Sequence, residues 1–531
     1  MSEHLNCTVC GKIAFEESRI NTGTETLSKL RCGHIMKFKV LVPTVEAEPE
    51  DYFYASNTGK HLMPFQDETV SFIYNAGGRC LVAHEQGLGK TVCSLAALAQ
   101  KPEMMPALVL CKSNLMWQWA KQSVEWLPGD IIPQILSTSK DIVIPGCDIY
   151  IVSYDMIRRL PVETILLGFS HIKTVILDEC QHIKTTTSKR TIGVRMLTTD
   201  RPYVMALSGT PIKNHAGEFF SILNILHPER FPSKEYYEHN FVDTYWDGRT
   251  YKMGGLKDDE YFREKTSDFI LRYEQKDVLP DLPPFTRTFD YYDIDADLKQ
   301  AYDSVAEELQ NFLDKEGDGA FGFANYQYVM AYLTKMRQIT GVAKVPAAVD
   351  KITDLMENTQ HKMVVFLHHH IARDLLIRGL NEWCDANAFL RPLLISDQNP
   401  EEREKIKKSF IENKDRRIIV LGTLSSGEGV DGLQEACSKM IVLERQWNPA
   451  NEEQAEKRLH RMGQLMPVEA NYLVAVGTVD ELFTEMVERK RQITKETYGD
   501  SEVEQWNETS TVQGLVGAIM SKRGGKKWQI A

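Results

Sequence analysis

Short, uninterrupted apolar runs recur along the chain, each followed by turn residues and then a longer stretch of helical character. The first series is RCLVA (79–83), PALVLC (106–111), DIYIVSY (148–154), TVILDE (174–179) and YVMALSGT (203–210). A second follows: MVVFLHH (363–369), RPLLIS (391–396), RIIVLGT (417–423), KMIVLE (439–444) and NYLVAVGT (471–478). A strand wetted on one face alternates polar and apolar residues, whereas a continuous apolar run is a strand covered on both faces by helices. Two such series predict two α/β lobes, each a doubly wound parallel sheet. The segment VLPDLPPFT (278–286), with its three prolines, excludes regular structure and separates them.

Two stretches fall outside the sheets. Residues 215–272 and 296–340 are rich in charged, aromatic and helix-forming residues and predict helical insertions. Past Thr478, DELFTEMVERKRQI predicts a helix and the polar residues to SKRGGKKWQIA a tail. The predicted division is an N-terminal element at 1–45, lobes at 46–284 and 285–478, and a C-terminal helix and tail at 479–531. With 531 residues the chain is too long for one core, and 43% hydrophobic with 26% charged residues is a globular composition. The polar start MSEHLNCTVC is no signal peptide, and no apolar run approaches the ~18 residues of a membrane span. These features predict a soluble, intracellular, cytoplasmic protein with no membrane contact, expected as a monomer. A net charge of −12 excludes a surface coated in basic charge but not a local basic track.

The first chemistry lies at HEQGLGKT (84–91), between a strand and a helix. Gly87 and Gly89 allow backbone N–H groups to approach a phosphate, and the helix start behind them favours negative charge. Lys90 is placed to reach the β- and γ-phosphates of ATP, and Thr91 to hold magnesium. The strict loop spacing calls for a glycine where His84 stands. Downstream, the strand 174–179 ends in Asp178 and Glu179, a metal ligand and a carboxylate to orient the attacking water. In QAEKRLHRMGQ (454–464), Arg458 and Arg461 share one helix face and can answer charge on a γ-phosphate.

Together these motifs resemble the Swi/Snf-type DNA translocases of helicase superfamily two, from about residue 60 to 490. LMPFQ (62–66) is similar to the family's adenine-reading motif, with Gln66 as the reader. LVLCKSNLMWQWAKQSVEWLP looks like the following strand and Trp-bearing helix. IVSYD, ALSGTPIKNHAGEFFSILNILHPERF and ERQWNPANEEQAEKRLHRMGQ match in order. GTVDELFTEMVERKRQI looks like the helix that braces the lobes. The chain departs from the family at Cys180 and Gln181, where Asp-Glu-Ala-His is usual. Tyr273 and Gln275 replace basic residues, Lys457 replaces an acid, and SSGEGVDG (425–432) carries Glu428 and Asp431 in a glycine-rich motif.

The resemblance implies a DNA-dependent ATPase moving along duplex DNA and remodelling DNA structures or DNA-bound proteins. Lys90 would come from one lobe and Arg458 and Arg461 from the other, so that ATP draws the lobes together. Ser113, Tyr154, Thr210, Thr423 and Trp447 stand at strand ends within matching motifs. For each, a phosphate contact and a capping or core role are both open. Backbone contact without base readout would make binding salt-sensitive and independent of sequence. A strand-separating helicase on DNA or RNA, and an ATP-gated nucleic-acid-binding module with slow hydrolysis, are the alternative functions. The compact chain points to a bacterial or viral setting rather than a nuclear remodeller.

CTVCGK (7–12) and LRCGH (30–34) place Cys7, Cys10, Cys32 and His34 in a pattern suited to tetrahedral zinc in a ribbon-like element, against the alternative of free buried thiols. Such an element would be structural or would dock DNA or a protein partner. The HHH run (368–370) follows a strand in the second lobe and is not read as a metal site.

Overall fold

The computed structural model describes residues 54–162, 164–209, 216–246, 251–317, 320, 323–359, 361–396, 398–413, 418–421, 432–446 and 449–497, four N-terminal strands, and isolated positions between 512 and 519. It divides into two compact units, Met1–Pro280 and Asp281–Ala531, with the break inside the proline-rich segment.

The N-terminal strands are β1 (His4–Asn6), β2 (Ile13–Asn21), β3 (Glu25–Leu30) and β4 (Ile35–Lys39), paired antiparallel in chain order. Cys7, Cys10, Cys32 and His34, the predicted zinc ligands, lie outside the described residues.

The first unit is built on β5 (Arg79–Val82), β6 (Ala107–Cys111), β7 (Pro133–Leu136), β8 (Ile149–Ser153), β9 (Thr174–Asp178) and β10 (Tyr203–Leu207). An insertion supplies the hairpin β11 (Val242–Trp246) and β12 (Tyr251–Leu256), and the two-residue β13 (Ile270–Leu271) closes the sheet. The seven strands run in the order β13-β5-β10-β9-β6-β8-β7, every pair parallel. Successive residues face opposite sides, so Leu108, Leu110, Val175 and Leu177 enter one core while Val109, Cys111 and Ile176 enter the other. Both faces are buried, which is why these strands read as continuous apolar runs. Segment 215–272 is not wholly helical as expected: helices Phe220–Leu226, Lys234–Phe241 and Asp259–Thr266 flank the hairpin.

The second unit holds β14 (Phe285–Tyr292), β15 (Lys362–Phe366), β16 (Leu393–Leu394), β17 (Ile418–Leu421), β18 (Cys437–Val442) and β19 (Val468–Ala475), all parallel, in the order β14-β19-β18-β15-β17-β16. Its predicted insertion forms two helices, Ala296–Glu316 and Phe323–Ala343. Tyr302, Leu309, Leu333 and Met336 from these pack with Val479, Phe483 and Val487 of the helix Val479–Thr497, in a core separate from the sheet. Among the described residues no helix is long and apolar enough to cross a membrane.

Candidate nucleotide-hydrolysis site

Parallel strands all deliver their C-terminal ends to one edge of a sheet, and the loops there hold the sequence-predicted chemistry of the first unit. Three helices frame it: α1 (Pro64–Asn75), α2 (Lys90–Gln100) and α3 (Met116–Trp126). The loop leaving β5 turns into α2 through Gly87 (φ +85°) and Gly89 (φ +75°), a left-handed conformation that other residues rarely adopt. A Cβ at Gly89 would also meet Gln66 Nε2 at 2.4 Å. The Lys90 ammonium donates to the carbonyls of His84 (2.9 Å) and Glu85 (3.3 Å), curling back over the loop it serves. Burial lowers its pKa, while the Glu179 and Asp178 carboxylates oppose that shift.

His84 fills the position of the missing glycine and is fully buried. Its Nδ1 accepts from the Tyr273 backbone N–H at 3.1 Å, and its Nε2 lies 2.8 Å from the Thr69 hydroxyl. Burial first, then the charges of Lys90 and Arg272, push its pKa down to about 3. Tyr273 and Gln275, the departures from the expected basic residues, brace this same loop. The Tyr273 hydroxyl donates to Glu68 at 2.8 Å, the Gln275 backbone N–H to Glu85 at 2.7 Å, and the Gln275 amide to the Gln86 carbonyl at 3.1 Å. Gln66 accepts from the Met63 N–H (3.0 Å) and donates to the Leu88 carbonyl (3.2 Å), so its amide ties α1 to the phosphate loop.

β9 delivers Asp178 and Glu179 to the same edge. Asp178 is buried, and burial, then the neighbouring Glu179, raise its pKa above the usual carboxylate range. Glu179 has a left-handed backbone (φ +50°, ψ +53°), a strained choice for a non-glycine residue that turns the chain abruptly after the strand. Gln181 donates to the Glu179 carboxylate and accepts from the Ser208 hydroxyl at 2.7 Å. The next residue, Gly209, sits so close to the phosphate loop that a Cβ there would meet Gln86 Cγ at 2.6 Å. The loop, the acid pair and the Ser208–Gly209 turn thus form one connected site. Its hard oxygen donors, the Thr91 hydroxyl at the start of α2 and the Asp178 carboxylate, fit magnesium.

Of the predicted DNA contacts, Ser113 is exposed after β6. Tyr154 is in the core role: it is buried and its hydroxyl donates to the Asp178 carbonyl at 2.8 Å. Thr210, Thr423 and Trp447, with Glu428 and Asp431, lie outside the described residues. In the second unit, the helix Pro449–Leu459 buries Glu452, Ala455, Glu456 and Leu459 along one face, which leaves Arg458 half-buried, with Arg461 half-buried in the turn beyond. Glu456 makes a two-pronged ion pair with Arg287 (2.6 and 2.7 Å) and accepts from the Tyr472 hydroxyl. His369 pairs with Glu444 at 2.6 Å and His368 with Gln446 at 2.9 Å. Sequence reasoning missed Trp119, whose indole N–H donates to Asp178 Oδ2 at 2.9 Å. Its one visible signal was its place in the Trp-bearing helix.

A phosphate loop and a strand-end acid pair on one parallel sheet, with a second parallel α/β unit behind them in the chain, define the helicase-type P-loop ATPases. Within that class the chain belongs to the SNF2-related family: residues 65–343 match the SNF2-related domain and 345–463 the helicase conserved C-terminal domain. The DNA annealing helicase and endonuclease ZRANB3 of Mus musculus is 28% identical over 452 residues, covering 82% of this chain and 40% of that protein. The SWI/SNF-related matrix-associated actin-dependent regulator of chromatin subfamily A-like protein 1 of Xenopus tropicalis is 26% identical over 468 residues, covering 85% of this chain and 46% of that protein. The chain therefore spans less than half the length of these relatives. Among solved structures, the Sulfolobus solfataricus SWI2/SNF2 ATPase core in complex with dsDNA is 24% identical with a TM-score of 0.40, covering 85% of this chain and 95% of that one.

Proposed function

We propose that this chain hydrolyses ATP in a DNA-dependent manner and converts the energy into movement along duplex DNA, remodelling DNA structures or DNA-bound proteins. The observation that carries the reading is the single connected site formed by Lys90, Asp178–Glu179, Gln181 and the Ser208–Gly209 turn. DNA as the track rests on family membership and on the relatives, one of which is named a DNA annealing helicase.

In this reading Gln66 reads adenine, and the N–H groups around Gly87 and Gly89 and the Lys90 ammonium hold the phosphates. Thr91 and Asp178 hold magnesium, which draws charge from the β- and γ-phosphate oxygens when bound. Glu179, turned by its left-handed backbone, orients the attacking water, and Gln181 fixes that carboxylate. Arg458 and Arg461 contribute charge to the γ-phosphate. Ser113 contacts the DNA backbone, as do Thr210, Thr423 and Trp447.

The decisive measurement is the ATPase rate with duplex DNA, single-stranded DNA, RNA or no polymer. Duplex DNA should stimulate most. A rate indifferent to all four refutes the proposal, and strand separation on a tailed substrate would replace translocation with unwinding.

We also propose that Cys7, Cys10, Cys32 and His34 bind zinc and dock DNA or a protein partner. The register pairs Asn6 with Ile13, Glu16 with Leu30 and Lys29 with Ile35. The strand ends flanking all four residues therefore gather at one end of the small sheet. One zinc per chain in the intact protein, lost on joint Cys7→Ser and Cys10→Ser substitution, is the expected result. Metal-free wild-type protein refutes it.

A further inference from the structure

Asp178 accepts from two aromatic donors, one on helix α3 and one just past β8. Trp119, 2% exposed, lies on α3 and donates from its indole N–H to Asp178 Oδ2 at 2.9 Å. Tyr154 follows β8 and donates to the Asp178 backbone carbonyl at 2.8 Å. β6 lies between β9 and β8 in the sheet, and it leads through the turn Ser113–Leu115 directly into α3. The exposed Ser113 and the buried Trp119 are thus two ends of one short continuous turn and helix: one faces the surface, the other donates to a carboxylate oxygen of Asp178. A carboxylate with one oxygen held by an indole N–H is restricted in its rotation and has its other oxygen left for a geometrically demanding cation.

We infer that Trp119 is a positioning residue for the magnesium-holding carboxylate, and that its hydrogen bond carries displacement of α3 on duplex binding to Asp178. This deepens the ATPase reading above and rests on it. Lysines or arginines are not needed for such a link. The turn proposed to touch DNA runs straight into the helix whose Trp119 donates to Asp178, so a small shift of that turn would be passed to the hydrogen bond.

The test replaces the N–H and keeps the ring: Trp119→Phe, and, in case the smaller ring loosens the core, the benzothiophene isostere of tryptophan at position 119. Binding of a non-hydrolysable ATP analogue is measured calorimetrically with magnesium and with EDTA. ATPase stimulation by duplex DNA and duplex affinity are measured alongside. The expected result is unchanged nucleotide affinity in EDTA and a loss of about tenfold in the gain that magnesium confers, the worth of one hydrogen bond to a charged group. Stimulation by duplex should fall at unchanged duplex affinity. An unaltered magnesium gain overturns the positioning role. A reduced gain with intact stimulation overturns the coupling. If wild-type ATPase is itself indifferent to DNA, the translocase reading fails, and the magnesium measurement still decides Trp119.

Discussion

Gln181 accepts a hydrogen bond from the Ser208 hydroxyl at 2.7 Å and hands its own amide N–H to Glu179. The Glu179 carboxylate is therefore tied to the turn that presses Gly209 onto the phosphate loop. A histidine at this position would titrate, whereas an amide keeps its donor and acceptor at every pH. Gln181→Ala should lower kcat about tenfold with little change in the KM for ATP, because the carboxylate loses its orientation and the phosphate site does not. Gln181→His should restore much of the rate only above the imidazole pKa. Steady-state ATPase kinetics between pH 5.5 and 8.5 check both, and a KM effect in Gln181→Ala without a kcat effect counts against the assignment.

The buried imidazole of His84 makes folding sensitive to acid. The backbone N–H of Tyr273 points at Nδ1, so the ring proton sits on Nε2 towards Thr69, whose hydroxyl passes on to the Phe65 carbonyl at 2.7 Å. A second proton would set two N–H groups against each other, beside Lys90 and Arg272. With the folded value pushed down to about 3 and the unfolded one near 6.5, the unfolded chain binds more protons between them. Stability is full above about 6.5 and is lost as pH falls towards 3, at up to about 1.4 kcal/mol per pH unit. Wild-type melting temperature should drop more steeply than that of His84→Gln between pH 6.5 and 4.5. Parallel curves would show that no neutral histidine is being held there.

A Cβ at Gly209 would reach Gln86 Cγ at 2.6 Å and Lys90 Nζ at 3.5 Å. The clash is with a side-chain atom close to the backbone of Gln86, so the fold should survive Gly209→Ala only if the phosphate loop moves. We expect about 1 kcal/mol of lost nucleotide binding, roughly fivefold in affinity, with melting temperature nearly unchanged. Calorimetric titration with ATP against a thermal melt separates the two, and unaltered affinity would mean that the turn does not bear on the loop.

How far the sequence reaches is set by whether partners are neighbours in the chain. The ten apolar runs all became strands of two parallel sheets, because burial on both faces leaves a continuous signal. The edge strands β7 and β13 escaped notice, the latter with only two residues, and β14 begins inside the segment assigned to a linker. The hairpin in the first insertion was hidden among charged helices, although VDTYW and YKMGGL flank the residues DGRT, whose composition is a turn signal. Lys90, Asp178 and Glu179 were legible because the phosphate loop and the strand-end acids are contiguous motifs. The contacts that tune them span 59 residues (Trp119–Asp178), 24 (Tyr154–Asp178) and 189 (Tyr273–His84), and no spacing rule covers such pairs.

Arg445 is 1% exposed, forks onto Glu452 at 2.7 and 3.1 Å, and reaches Glu488 of the helix Val479–Thr497 at 2.6 Å, with its guanidinium over the Tyr472 ring. Glu452 in turn accepts from the Gln446 N–H at 2.9 Å, which fixes the entry to the helix that carries Arg458. Arg445→Ala strands a fully buried carboxylate and should cost about 3–5 kcal/mol in the second unit. Removing the charge as well, with Arg445→Met and Glu452→Leu together, should recover most of that, since the ion pair itself contributes little once its desolvation is counted. Recovery will stop short of wild type, because Gln446 N–H and Glu488 still lose their partner. Urea denaturation followed by a fluorophore in the second unit measures both variants. A double variant no more stable than the single one would show that Arg445 acts through its packing on Tyr472 and Phe289 rather than through the charge it neutralises.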